Sequence, residues 1–172
     1  MSELDHPLRF NVGFIVAETY GYSRVFPVEV KRLHIEPDIL LQNVSGHIQI
    51  TRTAEGLLVQ CLLSAEREEE CGRCLDPFMF VIHLDFSELY AFPGHTISDT
   101  DMILPPTGYL DIRPVVRDYV LLENPIKAVC KPDCKGLCPV CGENLNHTTC
   151  NHIDEPDDPR LAVLKSLLDK ED

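Results

Sequence analysis

The chain has 172 residues, enough for one domain or one domain with an appendage, and long enough to bury about 70% of its unfolded surface without disulfides. Its charge is unbalanced, with 15 Lys and Arg against 28 Asp and Glu, for a formal −13. Phosphate backbones are held by basic footprints, so this composition argues against direct, tight nucleic-acid binding and for a basic protein partner.

Taken in chain order, the first hundred residues read as strands. Leu8 to Phe14 and Val25 to Val30 alternate apolar and polar in part, with β-branched residues. Gly46 to Thr53 alternates more cleanly. Ala54, Glu55 and Gly56 supply a turn, and Leu57 to Leu63 returns as the apolar partner of a hairpin. Cys71-Gly72-Arg73-Cys74 breaks the pattern as a loop, and Phe78 to Phe86 resumes it as a strand. Four or more strands with short turns predict an α+β fold with an antiparallel, partly barrel-like sheet.

From Phe92 to Gly108 the prolines, glycines and Asp99 and Asp101 read as a flexible loop. A helix follows, with Asp111 as N-cap, Pro114 in its first turn and Ile112, Val115, Val116, Tyr119 and Val120 on one face. That face is expected to cover one side of the sheet, and Pro125 ends the helix. A C-terminal helix is expected from Asp158 as N-cap, with Leu161, Leu164, Leu167 and Leu168 on one side. The expected domains are an α+β core over 1–129 and a cysteine-rich segment with the C-terminal helix over 130–172, packed on the core. Met1 to His6 has neither a basic nor an apolar leader region, and no apolar run reaches about 18 residues. A cytoplasmic protein without a membrane span is the expectation, with its cysteines reduced and available to metal.

The cysteines carry the chemistry. Seven of eight fall into two groups: Cys71 and Cys74, then Cys130, Cys134, Cys138, Cys141 and Cys150, with His152 beside the last. The eight ligands suffice for two complete tetrahedral zinc sites, leaving no position for a metal-bound water. Thiolates two residues apart reach one metal through a tight turn, and glycine beside the turn lets backbone N–H groups face sulfur. The preferred partition joins Cys71, Cys74, Cys130 and Cys134, tying the sheet's loop to the segment after the helix. It leaves Cys138, Cys141, Cys150 and His152 as a local zinc-ribbon-like unit. The competing partition gathers Cys130, Cys134, Cys138 and Cys141 at a spacing that also suits an iron–sulfur cluster, leaving Cys71, Cys74, Cys150 and His152 for the other metal. His147 is an alternative to His152. Two loaded zinc sites would deepen the net charge to roughly −16.

The remaining candidates have plain readings. Cys61, in an apolar strand, reads as a small buried hydrophobe. His34, His47, His83 and His95 have no partners at ligand spacing. Lys127, Lys131 and Lys135 read as solvated lysines.

These residues together resemble the YceD family. The likeness runs through Thr51-Arg52-Thr53, Gly56 to Val59, Cys71 to Leu75, Glu88-Leu89-Tyr90 and, most specifically, Cys130 to Asn146, and ends on Asp158-Pro159-Arg160-Leu161. The resemblance implies a mixed α+β fold and a cytoplasmic role in accumulation or processing of large-subunit ribosomal RNA, near ribosome assembly. Relatives that lack the later cysteines but keep counterparts of Cys71, Cys74 and the 130–134 region favour the preferred partition. This chain has Cys150-Asn151-His152 where many relatives have C-x-C, a change that suits zinc better than an iron–sulfur cluster.

Three functions compete. The favoured one is a non-catalytic zinc-binding factor whose partner is a ribosomal protein or ribosome-assembly particle. A thiol oxidoreductase using Cys71 and Cys74 needs a thiolate stabilised at a helix N-terminus, yet here Glu66, Glu68, Glu69 and Glu70 precede it. A zinc hydrolase needs an open metal position and a general base, and neither His147 nor Glu143 is marked as one.

Overall fold

The computed structural model describes residues 6–94 and 102–152. These fall in two compact units, one drawn from Met1–Gly72 and Asp76–Cys130, the other from Arg73–Leu75 and Lys131–Asp172.

The first unit is built on a five-stranded sheet in the order β2-β3-β4-β5-β6. Three long hairpin-connected pairings dominate it: β2 (Ser23–Ile35), β3 (Ile39–Arg52), β4 (Gly56–Glu70) and β5 (Pro77–Ala91) run antiparallel in succession. The predicted hairpin around residues 54–56 is present, its turn closed by Thr53 N–H donating to the Gly56 carbonyl at 2.9 Å. Two expectations change. The sheet is mixed, because β6 (Met102–Ile103) pairs parallel with β5. It is also open: the described edge strands β2 and β6 do not pair, so no barrel closes.

Along β4 and β5 the pleat places Val59, Cys61, Leu63, Ile82, Leu84 and Phe86 on the core face. Gln60, Leu62, Asp85 and Ser87 face water, the one-sided burial open to antiparallel sheets. The segment read as a strand over Leu8–Phe14 is shorter than expected. It forms β1 (Arg9–Asn11), then turns into α1 (Gly13–Val16), whose Ile15 enters the core. The segment expected to be loop over 92–108 yields β6, and just beyond it β7 (Tyr109–Asp111) pairs with β1 in a second small sheet.

The covering helix is α2 (Arg113–Leu122). Val115, Val116 and Val120 join the sheet's apolar face in one core cluster, and Tyr119 stacks on Phe86 with ring centroids 4.1 Å apart. The cap differs from expectation. Ile112 occupies the N-cap position, and Asp111 sits one residue earlier, accepting the Arg113 N–H at 3.0 Å. Arg113 folds back on the same carboxylate, and these bonds outweigh the effect of burial, holding the Asp111 carboxyl below its usual range. The predicted C-terminal helix lies outside the described residues, as do His95, Asp99 and Asp101.

Candidate metal centres

Four chain segments deliver the cysteines. Cys71 and Cys74 lie in the turn between β4 and β5, which is pinned by Cys71 N–H to the Asp76 carbonyl at 3.0 Å and Gly72 N–H to the Ala128 carbonyl at 2.8 Å. That second bond belongs to the stretch leading from α2 toward Cys130, whose own N–H points at the Cys71 sulfur at 3.4 Å. Cys134 closes a short turn by donating to the Lys131 carbonyl, and Arg73 Nη1 donates to the Cys134 carbonyl at 3.1 Å.

The result is a cluster. Sγ atoms of Cys71, Cys74, Cys130 and Cys134 all lie within 4.8 Å of one another. Four sulfurs around one tetrahedral zinc would stand about 3.8 Å apart, from a Zn–S distance of about 2.3 Å, so the gathering is close to what a single ion would require. Cys71, Cys74 and Cys134 are buried and Cys130 is half-buried. No disulfide joins any cysteine.

The second cluster is local. Sγ of Cys138, Cys141 and Cys150 and a ring nitrogen of His152 lie within 4.8 Å of one another, with Cys138 Sγ 3.7 Å from His152 Nδ1. A knuckle presents the first two thiols: Gly142 N–H returns to the Cys138 carbonyl at 2.9 Å, and Cys138 N–H reaches the Glu143 carbonyl at 2.8 Å. Gly142 adopts φ 76° to make the turn, a conformation a Cβ disfavours. N–H groups of Cys141 and Val140, helped by the Cys150 and Cys141 thiols, face the Cys138 sulfur and hold its thiol down to about 6, which favours the anion a metal needs. The Cys150 thiol is pushed up, chiefly by sharing its proton with Cys138.

All eight predicted ligands are therefore brought together in fours. The alternative gathering of Cys130, Cys134, Cys138 and Cys141 is not how the structure divides them, and His147 belongs to neither cluster. Cys61 stays in the core cluster, its thiol pushed up to about 12 by burial and by the charge of Asp85. Sequence reasoning passed over Asn144 and Asn146. Asn146 Nδ2 lies 3.4 Å from Cys134 Sγ, and Asn144 Nδ2 lies 3.4 Å from the Cys74 carbonyl. The signal available was two Asx residues inside a cysteine-flanked turn, where their side chains habitually bond backbone. Gly136 is fixed by the same packing: it has φ 75°, and a Cβ there would stand 3.2 Å from the Arg73 carbonyl oxygen.

A family model described as "Large ribosomal RNA subunit accumulation protein YceD" matches residues 59–168, a span that contains every one of these ligands. The chain belongs to the YceD family. An uncharacterized protein of Mycobacterium tuberculosis is 34% identical over 130 residues, which cover 72% of this chain and 61% of that one. An uncharacterized protein of Bacillus subtilis is 31% identical over 113 residues, 64% of this chain and 65% of its own. In maize, a chloroplastic protein named as a large ribosomal RNA subunit accumulation protein homolog is 52% identical over 40 residues, 23% of this chain and 14% of that protein. The chain spans about three fifths of the length of the mycobacterial relatives. No solved structure matches it. Among the described residues no helix is long and apolar enough to cross a membrane.

Proposed function

We propose that the chain is a non-catalytic zinc-binding factor that supports accumulation or processing of large-subunit ribosomal RNA in the cytoplasm. The observation that carries this reading is the pair of four-ligand clusters in a member of the YceD family. Cys71, Cys74, Cys130 and Cys134 would hold one zinc ion, and Cys138, Cys141, Cys150 and His152 the other. The second set would make 130–172 a zinc-ribbon-like segment following an α+β core over 1–129. Zinc held by four protein ligands has no open position for water, so its contribution there is rigidity.

The charge pattern supports a protein partner, either a basic ribosomal protein or a ribosome-assembly particle, rather than naked RNA. Several arginines are already engaged: Arg67 pairs with Glu69, Arg113 with Asp111, and Arg117 with Asp38 at 2.6 Å. Arg52 lies over the rings of Tyr20 and Phe92. The thiol-oxidoreductase alternative gains no support from the geometry. Its two thiols are buried, and the turn that carries them feeds a strand rather than a helix.

The test is a strain lacking the chain, scored for the ratio of large- to small-subunit ribosomal RNA and complemented with wild type or Cys71→Ser/Cys74→Ser. A lowered ratio rescued by wild type and not by the variant is expected, with the tagged protein co-sedimenting with large-subunit precursors. An unchanged ratio would contradict the reading.

A further inference from the structure

Asn146 lies in the sequence between Cys141 and Cys150, both ligands of the second cluster, yet its side chain reaches Cys134, a ligand of the first. Its amide orientation is set by chemistry. Lys135 N–H can only donate, and it donates to Asn146 Oδ1 at 3.0 Å. The opposite end of the amide must therefore be Nδ2, which faces Cys134 Sγ at 3.4 Å and Asn144 Oδ1 at 2.9 Å. Asn144 is oriented by the same logic. Its Oδ1 also accepts the Asn146 backbone N–H at 3.0 Å, which turns its Nδ2 to the Cys74 carbonyl at 3.4 Å. Leu145 N–H donates to the Gly136 carbonyl at 2.9 Å, locking the turn that carries both amides.

This arrangement matters because of charge. Four thiolates on one zinc leave a net charge of about −2, and three of the four sulfurs here are buried. Each N–H aimed at sulfur disperses part of that charge. The Cys130 N–H does so for Cys71, and the Asn146 side chain does so for Cys134.

We infer that Asn146 is a positioning residue for the Cys71–Cys74–Cys130–Cys134 centre: it orients the Cys134 thiolate and donates a hydrogen bond to it, with Asn144 as its clamp. The inference rests on the metal-site reading above. It also makes the first centre depend on the turn closed by the second, since Asn144 and Asn146 lie between Cys141 and Cys150.

The experiment is a cobalt(II) titration of the full chain against a competing chelator, followed by absorption. Cys71→Ser identifies which uptake step belongs to the first centre. Asn146→Ala should weaken that step by about 10- to 100-fold, as loss of an outer-shell partner does, and should shift the other step by less than about threefold. Asn146→Asp keeps the acceptor for Lys135 N–H but sets an anion against sulfur, so it should weaken the step at least as much. In both variants the sulfur-to-cobalt charge-transfer band should move to longer wavelength, because a thiolate without its donor gives up an electron more readily. Thr148→Ala, which loses a hydroxyl bonded to the Asn144 carbonyl at 3.1 Å but no donor to sulfur, should leave the band in place. Two bound metals in wild type with an unmoved step and band in Asn146→Ala would overturn this inference alone. A wild-type chain that takes up no metal would overturn the metal-site reading and this inference with it.

Discussion

The two cysteine clusters share a ligand count and differ in almost everything else. In the first, Cys71, Cys74 and Cys134 are 0, 3 and 5% exposed; in the second, Cys141 and His152 are exposed and only Cys138 is buried. The first joins residues separated in sequence by β5 and α2, while the second closes within 138–152. Cross-linking distant residues removes more freedom from the unfolded chain than closing a short loop, and a buried thiol set that loses its metal has no water to turn to. With metal bound, the first cluster would act as an element of folding and the second as a local clip open to solvent.

The sharpest way to break that contrast is substitution. Cys71→Ser should cost more than about 4 kcal/mol, the range reached when a structural metal is lost, and Cys141→Ser about 1–2 kcal/mol, both read from urea unfolding of metal-loaded protein. Equal costs would abolish the distinction. Cys61 sharpens it from outside, being buried like the first cluster but placed among core side chains. Cys61→Ser should cost about 2 kcal/mol by burying a hydroxyl in an apolar site, and the metal count should not change. Its raised thiol stays protonated until the pH nears 12, so alkylation of native protein at pH 8 should spare it.

Metal removal probes the same contrast kinetically. With excess chelator at neutral pH, one ion should leave at least about tenfold faster than the other. Peptide mapping should then find Cys141 and Cys150 alkylated before Cys71 and Cys74. The smallest effect concerns the start of α2, remote in sequence from either ligand set. Asp111→Asn should cost about 0.5 kcal/mol, a value discounted for solvent screening of a partly exposed pair. Because the folded carboxyl titrates below its usual 3.8, that contribution is complete above pH 3.8 and disappears as pH falls through the lowered value. The difference between wild type and variant should follow that course in denaturant titrations, being flat from pH 7 to 5 and vanishing in stronger acid.

What the sequence made legible follows from these physical ranges. C-x-x-C spacing and neighbouring glycines mark Cys71, Cys74, Cys138 and Cys141 as candidate ligands, and crowding near them adds Cys130, Cys134, Cys150 and His152. Which four belong together was open between two partitions, with His147 an alternative to His152, because the grouping depends on where β5 and α2 carry the chain. The covering face of α2 was plain in its apolar period. Strand extent was not. Asn43, at φ 49°, sits where the β3–β4 register shifts between Gln42 and Ser45, and that irregularity lets Leu41 and Ile48 share the core face despite opposite parity. A strict alternation reading stops there and finds only the second half of β3. Parallel β6 is two residues long, too short for any period to register, and its partner is chosen by tertiary contact. Asn144 and Asn146 escaped notice because Asx residues in a turn announce only bonds to backbone; the approach of Asn146 to a cysteine sulfur exists only once the turn has folded against Cys74 and Cys134.

The central claim is that eight ligands form two complete four-ligand metal centres. Native mass spectrometry of the purified, reduced chain tests it most directly. Two zinc ions are expected in wild type, one in Cys71→Ser and one in Cys150→Ser. A wild-type chain that carries no metal yet folds cooperatively, or one whose two serine variants each keep the full complement, would contradict it.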